Sequence, residues 1–156
     1  MYLSNIYKMN RDRDQTSDLT KECDGPIGSV NQDTLDKFLN LFFTHQTIIK
    51  MSHFATDSYA IHKETDAYAC NFGANFDRFM EVLQGVTGKT NSPTLTLENP
   101  VIPVIKTPKE LADHLIAFRN NVCTLCTHIK HFPELNAIRD EIMADAQKFV
   151  YVLNFR

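Results

Sequence analysis

The sequence predicts an all-α protein, a four-helix bundle with a long crossover between helices two and three. Three observations carry that expectation. Apolar residues recur at three- and four-residue steps in four separate stretches, the period of a helix with one buried face. Between the second and third stretches, over 86–106, Pro93, Pro100 and Pro103 stand among Thr, Leu, Val and Ile. Those prolines forbid regular helix, and roughly twenty residues is long for a connection unless it runs the length of a bundle. Finally, Thr107-Pro108-Lys109-Glu110 is a helix start, with a threonine cap, proline at the first position and glutamate at the third.

The elements follow in order. Residues 1–30 read as a polar N-terminal arm, and 31–156 as the bundle. In the arm Lys8, Arg11, Arg13 and Lys21 nearly balance Asp12, Asp14, Asp18, Glu22 and Asp24, so it is expected to pack on its own or a neighbouring subunit. The first helix is expected over 31–55, capped by Ser29 or Asn31, with Leu35, Phe38, Leu39, Phe42 and Ile49 on its buried stripe. His45 falls close to that stripe and reads as a partly buried structural histidine. The second helix is expected over 58–84, stopped by Gly85. The run from Gly85 to Thr90 invites a phosphate-loop reading, which fails: Gly85 stands three residues before Gly88 rather than five, and a helix precedes it where a strand is needed.

The third helix is expected to reach about residue 130, with Leu111, Leu115, Val122 and Ile129 in the core. It carries Cys123, Cys126, His128 and His131, which resemble half of a zinc motif. On a helix these four spread over more than half the circumference, whereas zinc needs convergent ligands, so apolar or surface placement is expected. Phe132-Pro133 ends that helix. The last, over 134–154, places Leu135, Ile138, Ile142, Phe149 and Leu153 at helical spacing.

A chain of 156 residues with 43% hydrophobic and 22% charged residues is long enough for one domain with a sizeable core. Its net charge of -3 argues against a surface built for nucleic acid or anionic membrane. No apolar run approaches the ~20 residues that span a bilayer, and residues 1–30 lack a signal-peptide core. The four cysteines, Cys23, Cys70, Cys123 and Cys126, show no framework spacing, which suits a reducing interior.

Chemistry concentrates in 53–85. His62, Asp66, Asp77 and Glu81 point, at ~100° per residue, to roughly 0°, 40°, 60° and 100° on one helix. They form a polar stripe beside the apolar stripe of Ile61, Tyr68, Phe72, Phe76, Phe79 and Leu83. His62/Asp66 and Asp77/Glu81 each have the four-residue spacing that lets two side chains share an ion. The two pairs are about 22 Å apart along the helix, so one copy cannot close both on the same metal. Two copies with this helix antiparallel about a two-fold can, since His62 of one then lies near Asp77 and Glu81 of the other. The axis would pass near Asn71, where Ala69, Cys70, Gly73 and Ala74 permit close approach. His53 is a fifth candidate ligand, able to converge with His62 only if the chain turns between them.

The run H-x8-H-x3-D-x10-D-x3-E, followed by V-L-Q-G, resembles the ferroxidase segment of Dps-type miniferritins. It resembles more closely a ferritin-like family of large DNA viruses and phages, as does the final stretch from Glu134 to Phe155. The resemblance covers roughly 32–155. It departs in the His53 spacing, which is usually longer in Dps proteins, and in Phe54, where tryptophan is usual. It implies a ferritin-like bundle and a non-haem iron site shared between subunits, with His62, Asp66, Asp77, Glu81 and His53 as ligands. The implied activity is oxidation and sequestration of Fe(II) by a homo-oligomer in a host cytoplasm or virion interior. Two alternatives stand beside it: a structural, virion-associated protein on the same bundle, with virion proteins as partners, and an idle site occupied by zinc.

Overall fold

The structure, a computed structural model, describes residues 30–87, 94–95, 102 and 104–155. The arm before Val30, Cys23, the Gly88-Lys89-Thr90 run and most of the expected crossover lie outside these residues. The described chain is all-α, with helices α1 (Gln32–Ala55), α2 (Tyr59–Thr87), α3 (Pro108–Cys126) and α4 (Pro133–Leu153). A short 3₁₀ turn, Thr127–Ile129, links the last two. No helix among the described residues is long and apolar enough to cross a membrane.

Helix starts follow local chemistry. Asn31 caps α1, its side chain accepting from the Thr34 amide at 2.8 Å. At α3 both halves of the capping box form: Thr107 Oγ1 accepts the Glu110 amide, and the Glu110 carboxylate accepts the Thr107 amide, each at 3.2 Å. Gly85 does not end α2, which runs on to Thr87. Val86 packs against the core, and Thr87 Oγ1 donates to the Leu83 carbonyl at 2.8 Å, so the helix continues through Gly85. The third helix stops short of the expected residue 130, because the Thr127 amide turns to the carbonyls of Leu125 and Thr124.

Cross-helix contacts fix how the elements pack. Phe38 meets Phe79 and His45 meets Tyr68, so α1 and α2 are antiparallel. Phe42 meets Phe118 and His45 meets His114, which makes α1 and α3 antiparallel. Tyr68 meets Phe149 while Arg78 pairs with Glu141, giving the same relation between α2 and α4. The α3–α4 pair completes the ring of neighbours. At its centre Phe42 is ringed by Phe72, Phe76, Phe79 and Phe118 at centroid separations of 5.2 to 6.0 Å. Such edge-on and tilted pairs add about 0.5–1.5 kcal/mol each beyond area burial.

Candidate metal-binding stripe and a buried histidine relay

The connection between α1 and α2 is three residues long and decides where the first candidate ligands go. The Thr56 amide closes α1 on the Ser52 carbonyl at 3.1 Å. Thr56 Oγ1 accepts the Ser58 amide at 3.2 Å, and Ser58 Oγ accepts from Ile61 at 3.4 Å to start α2. This turn brings His53 and His62 face to face, ring centroids 3.9 Å apart and 25° from parallel. On one unbroken helix the two would have pointed in opposite directions.

The pair is clasped through the backbone. His53 Nδ1 donates to the His62 carbonyl at 3.1 Å, and His62 Nδ1 donates to the His53 carbonyl at 3.2 Å. A carbonyl only accepts, so in the neutral rings both Nδ1 atoms carry the proton and both Nε2 atoms keep a lone pair. Metal-binding histidines are oriented in this way, one ring nitrogen tied to a carbonyl and the other left to ligate. Thr65 Oγ1 lies 3.4 Å from His53 Nδ1 and donates to the Ile61 carbonyl at 2.6 Å, bracing the inner ring. His53 is buried and His62 exposed, so the pair sits at the boundary between core and solvent.

Asp66 follows one turn along α2, exposed, with Lys50 Nζ 3.9 Å away. Asp77 and Glu81 continue on the exposed side of the same helix and form no ion pair with another described residue. Among the described residues, no three His, Cys, Asp or Glu side chains of one chain converge as a metal cage. The chain therefore joins His53 to His62 but leaves Asp77 and Glu81 about four and five turns further along α2. An open groove of about 710 Å³ lies over this face, lined by Phe43, Gln46 and Met51 from α1 and by Asp66, Ala69 and Cys70 from α2. Gly73 lies on the same helix, and a Cβ there would come no closer than 3.4 Å to Gln46 Nε2. Nothing among the described residues demands a glycine at that position.

A second cluster went unseen in the sequence. His45 is fully buried rather than partly so, with Nδ1 2.9 Å from His114 Nε2 and Nε2 2.8 Å from the Tyr68 hydroxyl. Its ring stacks on Phe118 at 3.6 Å. The relay ties α1, α2 and α3 together inside the aromatic core. Burial pushes the proton affinity of His45 well below its ordinary value, with His114 adding to the effect, and burial alone holds His114 down to about 4. Tyr68 is pushed upward by burial and then by Asp145. His114 carried a signal: it stands three after Leu111 and four before Phe118, on the apolar stripe of its helix. The Cys123–His131 run does not converge, since Cys126 is buried while Cys123, His128 and His131 are exposed.

These features define an all-α protein with a stripe of His, Asp and Glu on an outer helix face and a buried polar relay inside. Residues 53–153 match the profile of a family of unknown function (DUF5856), and the chain belongs to that family. No curated protein and no solved structure matches it.

Proposed function

We propose that this chain is a Dps-like, ferritin-like iron-binding protein that oxidises and sequesters Fe(II) at a site shared by two copies. The observation that carries the reading is the reciprocal clasp of His53 and His62, which leaves both Nε2 lone pairs for an ion. Pairing α2 antiparallel with its copy about an axis between Asn71 and Phe72 sets His62 and Asp66 against the partner's Glu81 and Asp77. It also gives Gly73 a reason, because the helices meet at the small residues. The imidazoles hold the softer Fe(II), the carboxylates favour Fe(III), and oxygen or peroxide takes the electrons. Lys50 beside Asp66 supplies a cation that an arriving metal ion displaces. Since α1 is antiparallel to both α2 and α3, those two run parallel on opposite sides of the ring, a relation that supports the ferritin-like reading.

The test is complementation. His62→Ala and Asp77→Ala/Glu81→Ala proteins each lack half of every shared site and should be inactive. After co-refolding, about half of the dimers are mixed, each with one intact site of two, so roughly a quarter of the sites recover. Fe(II) oxidation returning toward a quarter supports the shared site. No return, with mixed dimers confirmed by mass, overturns it and leaves the structural, virion-associated reading. Bound metal measured on the purified protein separates iron from zinc.

A further inference from the structure

The Cys123-Thr124-Leu125-Cys126 run takes no part in the stripe, and its two thiols stand in contrasting settings. Cys123 is exposed at the end of α3, while Cys126 is buried in the core three residues later. The Arg139 guanidinium, reaching from α4, lies against the Cys126 sulfur and is itself held by Asp140 and Asn136 at 2.9 Å each. Three residues apart on a helix, the two Cα atoms are about 5 Å apart, inside the span a disulfide bridges. The Cβ atoms must draw together by about 1–2 Å, which a helix interior resists. Here the ladder already ends, since the Thr127 amide bonds to Leu125 and Thr124 in place of the Cys123 carbonyl. The turn holding both cysteines is therefore free to tighten.

We infer that Cys123 and Cys126 are a peroxide-responsive dithiol that closes to a disulfide within the last turn of α3. The exposed Cys123 thiolate attacks one oxygen of hydrogen peroxide, breaking the O–O bond and giving a sulfenic acid and hydroxide. The Cys126 sulfur then attacks the Cys123 sulfur, the S–S bond forms, and the sulfenic oxygen leaves as water with the Cys126 proton. Two thiols and one peroxide give one disulfide and two waters, the sulfurs losing two electrons. Burial pushes the Cys126 thiol up to about 12 against the lowering influence of Arg139, which assigns the first attack to Cys123 and the resolving step to Cys126. Closure draws Cys126 away from its place between α3 and α4, so oxidation loosens that contact.

The experiment uses the full chain with Cys23→Ser and Cys70→Ser, so that only this pair reports. After hydrogen peroxide, the protein is denatured, alkylated with N-ethylmaleimide and weighed. The expected result is loss of both alkylation sites, a mass lower by two hydrogens, and recovery with dithiothreitol. Adding Cys126→Ser should trap Cys123 as a dimedone-reactive sulfenic acid, whereas adding Cys123→Ser should leave Cys126 reduced. Two thiols that stay alkylatable overturn the inference. So does Cys123 passing to sulfinic or sulfonic acid with Cys126 intact, or a disulfide found only between chains.

Discussion

Two histidine pairs share α1, both with stacked rings, and differ in burial and in hydrogen-bond partners. His45 and His114 meet inside the core, where both nitrogens of His45 are spent on side-chain partners and its ring is closed in by Phe118. His53, two turns further along, meets His62 at the edge of the bundle, where each ring gives one nitrogen to a carbonyl and keeps the other. A histidine whose two nitrogens are satisfied within the fold is a structural element that resists charge. One clamped by the backbone at a single nitrogen keeps the other for a partner outside the fold, the role proposed for His53 and His62. Burial and partner type, more than the presence of imidazole, separate architecture from a binding site.

That contrast can be broken most directly at the carboxylates. Asp77→Ala with Glu81→Ala should abolish Fe(II) oxidation, followed as ferric absorbance, while Cys123→Ser with Cys126→Ser should leave it near normal. The reverse result would relocate the metal site. Both acidic residues are exposed, so circular dichroism and the melting curve should be unchanged within about 0.5 kcal/mol.

Stability should show the opposite pattern. His45→Ala leaves a cavity beside Phe118 and removes the partner of the buried Tyr68 hydroxyl, at a cost of about 3 kcal/mol or more in urea unfolding. His62→Ala, on an exposed ring, should cost under about 1 kcal/mol. Equal losses at the two positions would erase the distinction.

Acidification sharpens the comparison through the same relay. His114 is held down to about 4 when folded, against about 6.5 when unfolded. The unfolded chain therefore binds a proton first, and the contribution of this residue, fully present above about pH 6.5, is lost as pH falls toward 4. The shift corresponds to about 3 kcal/mol, and His45 acts in the same direction. Unfolding free energies measured between pH 7 and 4.5 should fall more steeply for the parent than for His45→Phe/His114→Leu. Parallel slopes would mean the relay does not exclude protons.

The smallest effects concern two glycines of α2. Gly85 is exposed and helical, and a methyl group on its Cα would meet no neighbour within 4 Å, so Gly85→Ala should raise stability by about 0.5–1 kcal/mol. Gly73→Ala should gain no more than that in an isolated chain, because its methyl meets Gln46. If copies pair at this point, the same change should shift the oligomeric mass toward monomer, which light scattering reads.

Local chemistry was legible in the sequence. Asn31, Thr107 with Glu110, and the stripes of Phe38, Phe42, Phe72 and Phe79 specify helix starts and buried faces through interactions no more than four residues apart. The His62–Glu81 stripe is legible for the same reason, since helical spacing alone aligns it. Tertiary packing decided the rest. It carried α2 past Gly85 because Val86 had core to cover, and it folded the 56–58 turn so that His53 met His62. It also joined His45 on α1 to His114 on α3, two residues far apart in the chain. Sequence places a side chain on a face of its own helix. Which nitrogen finds a donor, a carbonyl or nothing depends on the helix packed against that face, and that is set only when the bundle closes.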